Sequence, residues 1–320
     1  MSPQALVKLH AEREHQQFYK DIVSGLTRQQ KRIPSKYLYD QRGSQLFDAI
    51  CETPEYYVTR TELAIMQEYG PAMAARIGNR SMLIEYGSGS SLKTRMLLDH
   101  LQMPAAYVPV DISGDHLLET AGRLQDAYPE IEILPVSADF TKPFEIPVSN
   151  IEVEKRVVYF PGSTLGNFQP EEAVALLSNV RQMIDRRGGL LIGIDLQKDS
   201  LVLHDAYNDA EGVTRDFTLN LLLRMQRELG ARLDYDGFEH HAVYNQRLGR
   251  IEIAIESLVE QEIAIGNHVF SLEAGELIRT EYSYKYTIGG FREMAREAGL
   301  LLRRYWTDDR EYFAVLYLTP

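Results

Sequence analysis

A single cysteine, Cys51, stands in a chain of 320 residues. One thiol cannot form an internal disulfide or a zinc–thiolate cluster, and it fits a reducing compartment. Basic residues are also short: 34 Lys and Arg face 46 Asp and Glu, for a formal net charge of −12. Binding nucleic acid through its phosphates needs clustered Lys and Arg, so nucleic acid is not an expected partner. Solubility accounts for the acidity. No apolar run approaches the roughly 18 residues of a membrane span, so no membrane partner is expected either. The opening MSPQALVKLHAEREHQQ is charged and has no apolar stretch. It does not read as a signal peptide, and a cytoplasmic location is expected. Internal repeats and low-complexity tracts are missing. His204, His240, His241 and His268 have no spacing that resembles a metal-ligand set, so no metal is expected. What is present is 44% hydrophobic and 25% charged, ordinary for a chain that buries a real core. The length suits one large domain or two modest ones.

Residues 1–60 read as helix, turn, helix and loop. The turn RIPSKYLYDQRGS breaks the pattern at Pro34 and Gly43, and Pro54 ends the second helix before an aromatic loop at Tyr56 and Tyr57. From residue 61 the rhythm changes. After a helix, TELAIMQEYGPAMAARI, short apolar runs end at glycines or acids: SMLIEYGSGSS, AAYVPVDIS, IEILPVSAD, RVVYFPGST and GLLIGIDLQ. Helices are expected between them at Leu117–Tyr128 and Glu171–Ile184. Such alternation implies parallel strands with crossover helices, and near-continuous apolar strands imply a sheet covered on both faces. Residues 198–285 break the rhythm with one long helical stretch and several alternating strands, which suggests an inserted, more antiparallel region. Residues 286–320 return to the first pattern and end in a hairpin at the edge of the parallel sheet. The fold class is therefore α/β: a Rossmann-like sheet over 61–197 and 286–320, and a second region from 1–60 and 198–285.

The loop IEYGSGSSLKTR follows a strand and opens a helix, where glycines admit a ligand close to the backbone. Three ligand classes compete. A dinucleotide site wants G-x-G-x-x-G; Gly87 and Gly89 are present, but Leu92 holds the third position. A P-loop accepts Lys93 and Thr94, yet it too needs glycine where Leu92 stands; Asp195 would supply its acidic strand end. S-adenosylmethionine has no phosphate, so a looser loop suffices. Its ribose wants a carboxylate at the second strand end, and Asp111 lies 22 residues past Gly89. Asp139 after the third strand can accept from an adenine amino group, with Phe140 near the ring. These features in order favour a methyltransferase, with the P-loop kept as an alternative.

Several separated strings then carry a resemblance: KYLYDQRGSQLFDAI, TPEYYVTRTE, IEYGSGSSLKTRMLLD, GSTLGNF, DAYNDAEGVTRDF and TEYSYKY. Over nearly its whole length the chain resembles the histidine Nα-methyltransferases of ergothioneine biosynthesis. The resemblance implies a class I methyltransferase domain, with a substrate domain made from the N-terminal segment and an insertion. It implies three methyl transfers from S-adenosylmethionine to the α-amine of L-histidine, giving the betaine hercynine. It places cofactor contacts at Gly87, Lys93, Asp111, Asp139 and Phe140. Substrate contacts fall at Tyr56, Asn167, Tyr207, Glu281 and Ser283, and Tyr39 lies near the amine. Ile253 occupies the position where members of the family carry a methionine after an RIE string; its similar volume keeps that wall apolar. The alternative is a related N-methyltransferase acting on another amino acid, such as tryptophan. The iron-dependent partner reaction is not expected, since no H-x-x-x-H-x-E string is present. A monomer is expected.

The chemistry is consistent with this reading. Glu281 and Ser283 stand two apart on an expected strand and so face one way. A carboxylate beside a hydroxyl suits imidazole, which offers a donor and an acceptor nitrogen. Asn167 and Tyr207 supply neutral donors to a carboxylate. Aromatic faces such as Tyr39 and Tyr56 suit an amine that becomes a quaternary cation.

Overall fold

The computed structural model describes residues 3–88, 92–112 and 114–320. Gly89, one of the two loop glycines singled out above, lies outside the described residues. The chain divides into two compact units. One contains residues 1–57 and 199–283, the other 58–198 and 284–320.

In chain order the elements begin with α1 (Pro3–Thr27), α2 (Gln41–Glu52) and α3 (Tyr57–Ile77). Strands and helices then alternate: β1 (Ser81–Tyr86), α4 (Leu92–Leu98), β2 (Ala106–Asp111), α5 (Gly114–Ala127), β3 (Glu132–Ile133), β4 (Val136–Ser137), β5 (Lys155–Phe160), α6 (Pro170–Met183) and β6 (Gly189–Asp195). Next come α7 (Ser200–Asp205), α8 (Val213–Leu229), β7 (Phe238–Asn245), β8 (Arg250–Ser257), β9 (Gln261–Ile265), β10 (His268–Leu272) and β11 (Leu277–Tyr284). The described chain finishes with α9 (Ile288–Glu297), β12 (Leu301–Thr307) and β13 (Phe313–Thr319).

The second unit holds a sheet in the order β12-β13-β6-β5-β1-β2-β3, with β4 also paired to β2. Its pairings are parallel from β6 to β4, while β13 runs antiparallel to both β6 and β12. The mixed α/β fold with a mainly parallel sheet and a terminal hairpin is thus the one the alternation implies. Every residue of β1 and β6 is buried, as a sheet covered on both faces requires. Leu176, Leu177 and Val180 of α6 and Phe291 and Ala295 of α9 share a core with Ile84, Val158, Ile192 and Leu316. The third strand differs from expectation. IEILPVSAD is not one strand but two short pieces, because Pro135 between them offers no N–H to the ladder.

The first unit packs a three-stranded sheet, β11-β8-β7, and the hairpin β9–β10 with α1, α2, α7 and α8. Phe18, Ile22 and Leu26 recur every fourth residue of α1 and are buried, which gives the second half of this helix its inner stripe. Two details of the turn differ from the sequence reading. Gly43 does not break the pattern; it lies in the first turn of α2, whose N-cap Asp40 accepts the Gly43 N–H at 2.8 Å. A Cβ there would stand 1.7 Å from the Leu38 carbonyl oxygen, so glycine is needed for close approach. Tyr57 is likewise not loop but the first residue of α3.

Candidate active site

The glycine loop begins where β1 stops. Gly87 adopts φ +70°, a conformation that costs any residue with a Cβ, and its N–H reaches the Val110 carbonyl at 2.9 Å. An added Cβ would meet nothing within 4 Å, so the space beside this backbone is open. Lys93, on α4, bonds the fully buried Glu62 at 2.5 Å, and Glu62 also accepts the Gly162 N–H at 3.0 Å. Beneath the loop, Glu85 of β1 accepts from the Thr94 and Tyr107 hydroxyls, each at 2.5 Å. Burial pushes its pKa up to about 7 although both hydroxyls oppose the shift.

Asp111 closes β2 half-buried, and its carbonyl accepts from Ala138 N–H at 3.0 Å. Asp139 is engaged locally: Oδ1 accepts from the N–H and hydroxyl of Thr141, and Oδ2 lies 3.2 Å from the Lys142 ammonium. Burial alone would raise this carboxyl, but these partners hold it below its ordinary range. Phe140 stacks on Tyr86 with centroids 5.1 Å apart and planes 14° from parallel. Asn167 ends a short 3₁₀ turn, Thr164–Asn167. That turn is fixed through Ser163, whose hydroxyl accepts the Asp195 N–H at 2.9 Å.

The nucleotide alternative fails here on two counts. Leu92, where a P-loop needs a glycine, is the first residue of α4. Asp195, which would serve a magnesium ion, holds Lys198 on one carboxylate oxygen at 2.5 Å and Lys285 on the other at 2.7 Å.

The first unit holds six of the residues singled out from sequence. The Tyr39 ring lies edge-on to Phe47 at 5.6 Å and Phe217 at 5.3 Å. Phe47 leads to Tyr56 at 6.3 Å, and Tyr56 to Tyr207 at 6.1 Å. The Tyr207 and Ser283 hydroxyls share a hydrogen bond of 2.9 Å. Burial, and then the nearby Glu281 carboxylate and Tyr207, hold the Tyr39 phenol well above its usual pKa. Ile253 is buried on β8, next to β11, and opposes Ala242 of β7. Asp40 fixes the segment that carries Tyr39 by accepting from Asn220 at 2.7 Å and Arg227 at 2.6 Å, both on α8.

Residues 18–320 match the family of histidine-specific, S-adenosylmethionine-dependent methyltransferases. The chain belongs to that family. It is 38% identical over 295 residues to a histidine N-alpha-methyltransferase of Mycolicibacterium smegmatis, covering 90% of each chain. It is 36% identical over 307 residues to one of Mycobacterium tuberculosis, covering 94% of each. An L-tryptophan methyltransferase of Psilocybe serbica is 26% identical over 328 residues, covering 93% of this chain and 91% of that one.

In this methyltransferase the residues read from sequence fall into two sets. Gly87, Lys93, Asp111, Asp139, Phe140 and Asn167 belong to the unit with the parallel sheet; Tyr39, Tyr56, Tyr207, Ile253, Glu281 and Ser283 belong to the other. The sequence reading passed over Phe47, Phe217 and Tyr86. Each lies inside a string quoted for the resemblance, yet no local pattern separates a ring that lines a site from one that fills a core. Among the described residues, no helix is long and apolar enough to cross a membrane.

Proposed function

We propose that this protein transfers three methyl groups in succession to the α-amine of L-histidine, yielding hercynine, the first step of ergothioneine biosynthesis. The observation that carries the reading is the cluster of Glu281, Ser283 and Tyr207 beside the rings of Tyr39 and Tyr56. A carboxylate and hydroxyls next to an aromatic wall match an amino acid with a polar ring at one end and an incipient cation at the other.

Glu281 accepts an imidazole N–H, and Ser283 is the second polar contact to the ring. Asn167 and Tyr207 hold the substrate carboxylate, and Ile253 keeps one wall apolar. The residues also fit S-adenosylmethionine, whose sulfonium supplies an electrophilic methyl when bound. The open space beside Gly87 admits a ligand at the strand end, and the half-buried Asp111 carboxylate suits ribose hydroxyls. Lys93, Asp139 and the Phe140 ring complete that set.

The attacking amine must be neutral. An α-amino group titrates at about 7.7–8.0, so near pH 7 the neutral form costs only about 1–1.4 kcal/mol and needs no strong base. The Tyr39 phenol, held far above the neutral range, remains a hydroxyl and orients the amine rather than taking its proton. Alignment is the larger contribution, on the order of 7–11 kcal/mol. The faces of Tyr39 and Tyr56 stabilise the methylated ammonium by roughly 0.5–2 kcal/mol.

The test is mass spectrometry of histidine incubated with the protein and S-adenosylmethionine. Additions of one, two and three methyl groups are expected. Methylation of tryptophan with histidine left untouched would assign the protein to the alternative substrate. No methylation of either would refute the reading.

A further inference from the structure

Tyr207 lies just beyond α7, where backbone carbonyls have no partner within the helix. Its carbonyl is met from another element: His240 Nε2, on β7, stands 2.9 Å away. A carbonyl oxygen only accepts, so Nε2 carries the proton. On the other side of the ring, Nδ1 lies 3.0 Å from the Thr218 hydroxyl of α8. Burial holds the His240 pKa below its usual value, against the raising influence of the Tyr207 carbonyl. The neutral ring therefore has a lone pair on Nδ1; the Thr218 hydroxyl, which also lies 3.1 Å from the Thr214 carbonyl, has one proton to give to either acceptor.

The surrounding segment is held as well. Asn208 donates to the His204 carbonyl at 2.9 Å and the Ala242 carbonyl at 3.1 Å. Asp209 caps α8 by accepting from Val213 and Thr214 N–H at 2.7 and 2.8 Å. The Tyr207 and Asn208 N–H groups donate to the His204 and Asp205 carbonyls, each at 3.1 Å, and the His240 contact ties the Tyr207 carbonyl to β7. The Tyr207 ring leaves that peptide toward Tyr56, and its hydroxyl meets Ser283.

We propose that His240 is a positioning residue for substrate recognition: it fixes the Tyr207 backbone and so sets the Tyr207 hydroxyl against Ser283. This rests on the reading of Tyr207 as a substrate contact. It adds a residue that touches no substrate yet governs substrate affinity.

Loss of one hydrogen bond of this kind weakens binding roughly fivefold to tenfold. His240→Leu is therefore expected to raise KM for histidine by that factor, with kcat and the KM for S-adenosylmethionine unchanged. His240→Gln restores most of the affinity, because its amide nitrogen can occupy the Nε2 position and donate. In a Tyr207→Phe background His240→Leu adds nothing further, since the hydroxyl it aligns is gone. Thermal unfolding of each variant shows whether the fold is kept, and the Gln variant stands in if Leu fails to fold. An equal rise in KM in both backgrounds, or no rescue by Gln, overturns the inference. Independently of activity, ¹⁵N NMR of the intact protein should show His240 as the Nε2–H tautomer; the Nδ1–H tautomer overturns the inference and leaves the proposed function standing. A wild type inert toward histidine overturns both. An active wild type with an unchanged KM in a folded His240→Leu overturns this inference alone.

Discussion

Glu85 is the group whose titration should be easiest to read in stability. It is 2% exposed and accepts two hydroxyl hydrogen bonds, and burial displaces its pKa from 4.5 to about 7. At one pKa unit per 1.36 kcal/mol, that displacement corresponds to about 3 kcal/mol. The sign follows from proton counts. Below the unfolded value near 4.5, both states hold the proton and the contribution is complete. Between 4.5 and about 7 the folded state retains a proton that the unfolded chain has lost, so stability falls as pH rises. Above about 7 the loss is complete. Glu85→Gln cannot titrate, and its amide oxygen still accepts from Thr94 and Tyr107. Urea unfolding of both proteins between pH 4.5 and 8, followed by fluorescence of the single tryptophan, Trp306, should show the variant gaining about 3 kcal/mol on the wild type across that window. Other titrating groups cancel in the difference. A difference that stays flat from pH 4.5 to 8 would mean that Glu85 keeps one protonation state throughout, and the burial argument would fail.

Glu281→Ala should lower kcat/KM for histidine about 10- to 100-fold, the loss of a hydrogen bond to a charged group, while changing tryptophan far less. Steady-state kinetics on both amino acids checks this, and an equal fall for the two refutes it. Gly43→Ala drives a Cβ into the Leu38 carbonyl and should cost about 1–3 kcal/mol or more in urea unfolding, with a raised KM for histidine because Tyr39 lies in the displaced turn. Wild-type stability in that variant would contradict the packing described.

The parallel sheet was readable because burial on both faces writes itself as unbroken apolar runs, and β1 and β6 are buried at every position. Where the reading slipped, the deciding contact was distant or the exception was a single residue. Gly43 looks like a breaker in sequence, but its reason is the Leu38 carbonyl, visible only once the turn has folded. Pro135 sat in plain view and still divided a strand that its neighbours' hydropathy joined. Asp139, Thr141 and Lys142 form a local turn whose hydrogen bonds are typical of aspartate in such positions. The aromatic cluster was only partly legible. Tyr39 and Tyr56 stood out through the strings they occupy, but the rings that join them, Phe47 and Phe217, come from α2 and α8, far apart in the chain. His240 was noticed among the histidines only as an unlikely metal ligand, since its tie to a carbonyl cannot be seen in spacing.

The sheet order has a consequence for how this chain is made. Strand β6 is buried throughout, and one of its two edges is completed by β13, which is made more than a hundred residues later. Until then a largely apolar strand presents unpaired peptide groups, the kind of surface through which nascent chains associate wrongly. Each compact unit draws on two separated stretches, so each is complete only once its second stretch has been made. Productive folding thus depends on keeping the β6 edge covered during the translation of more than a hundred further residues, from 196 to 312.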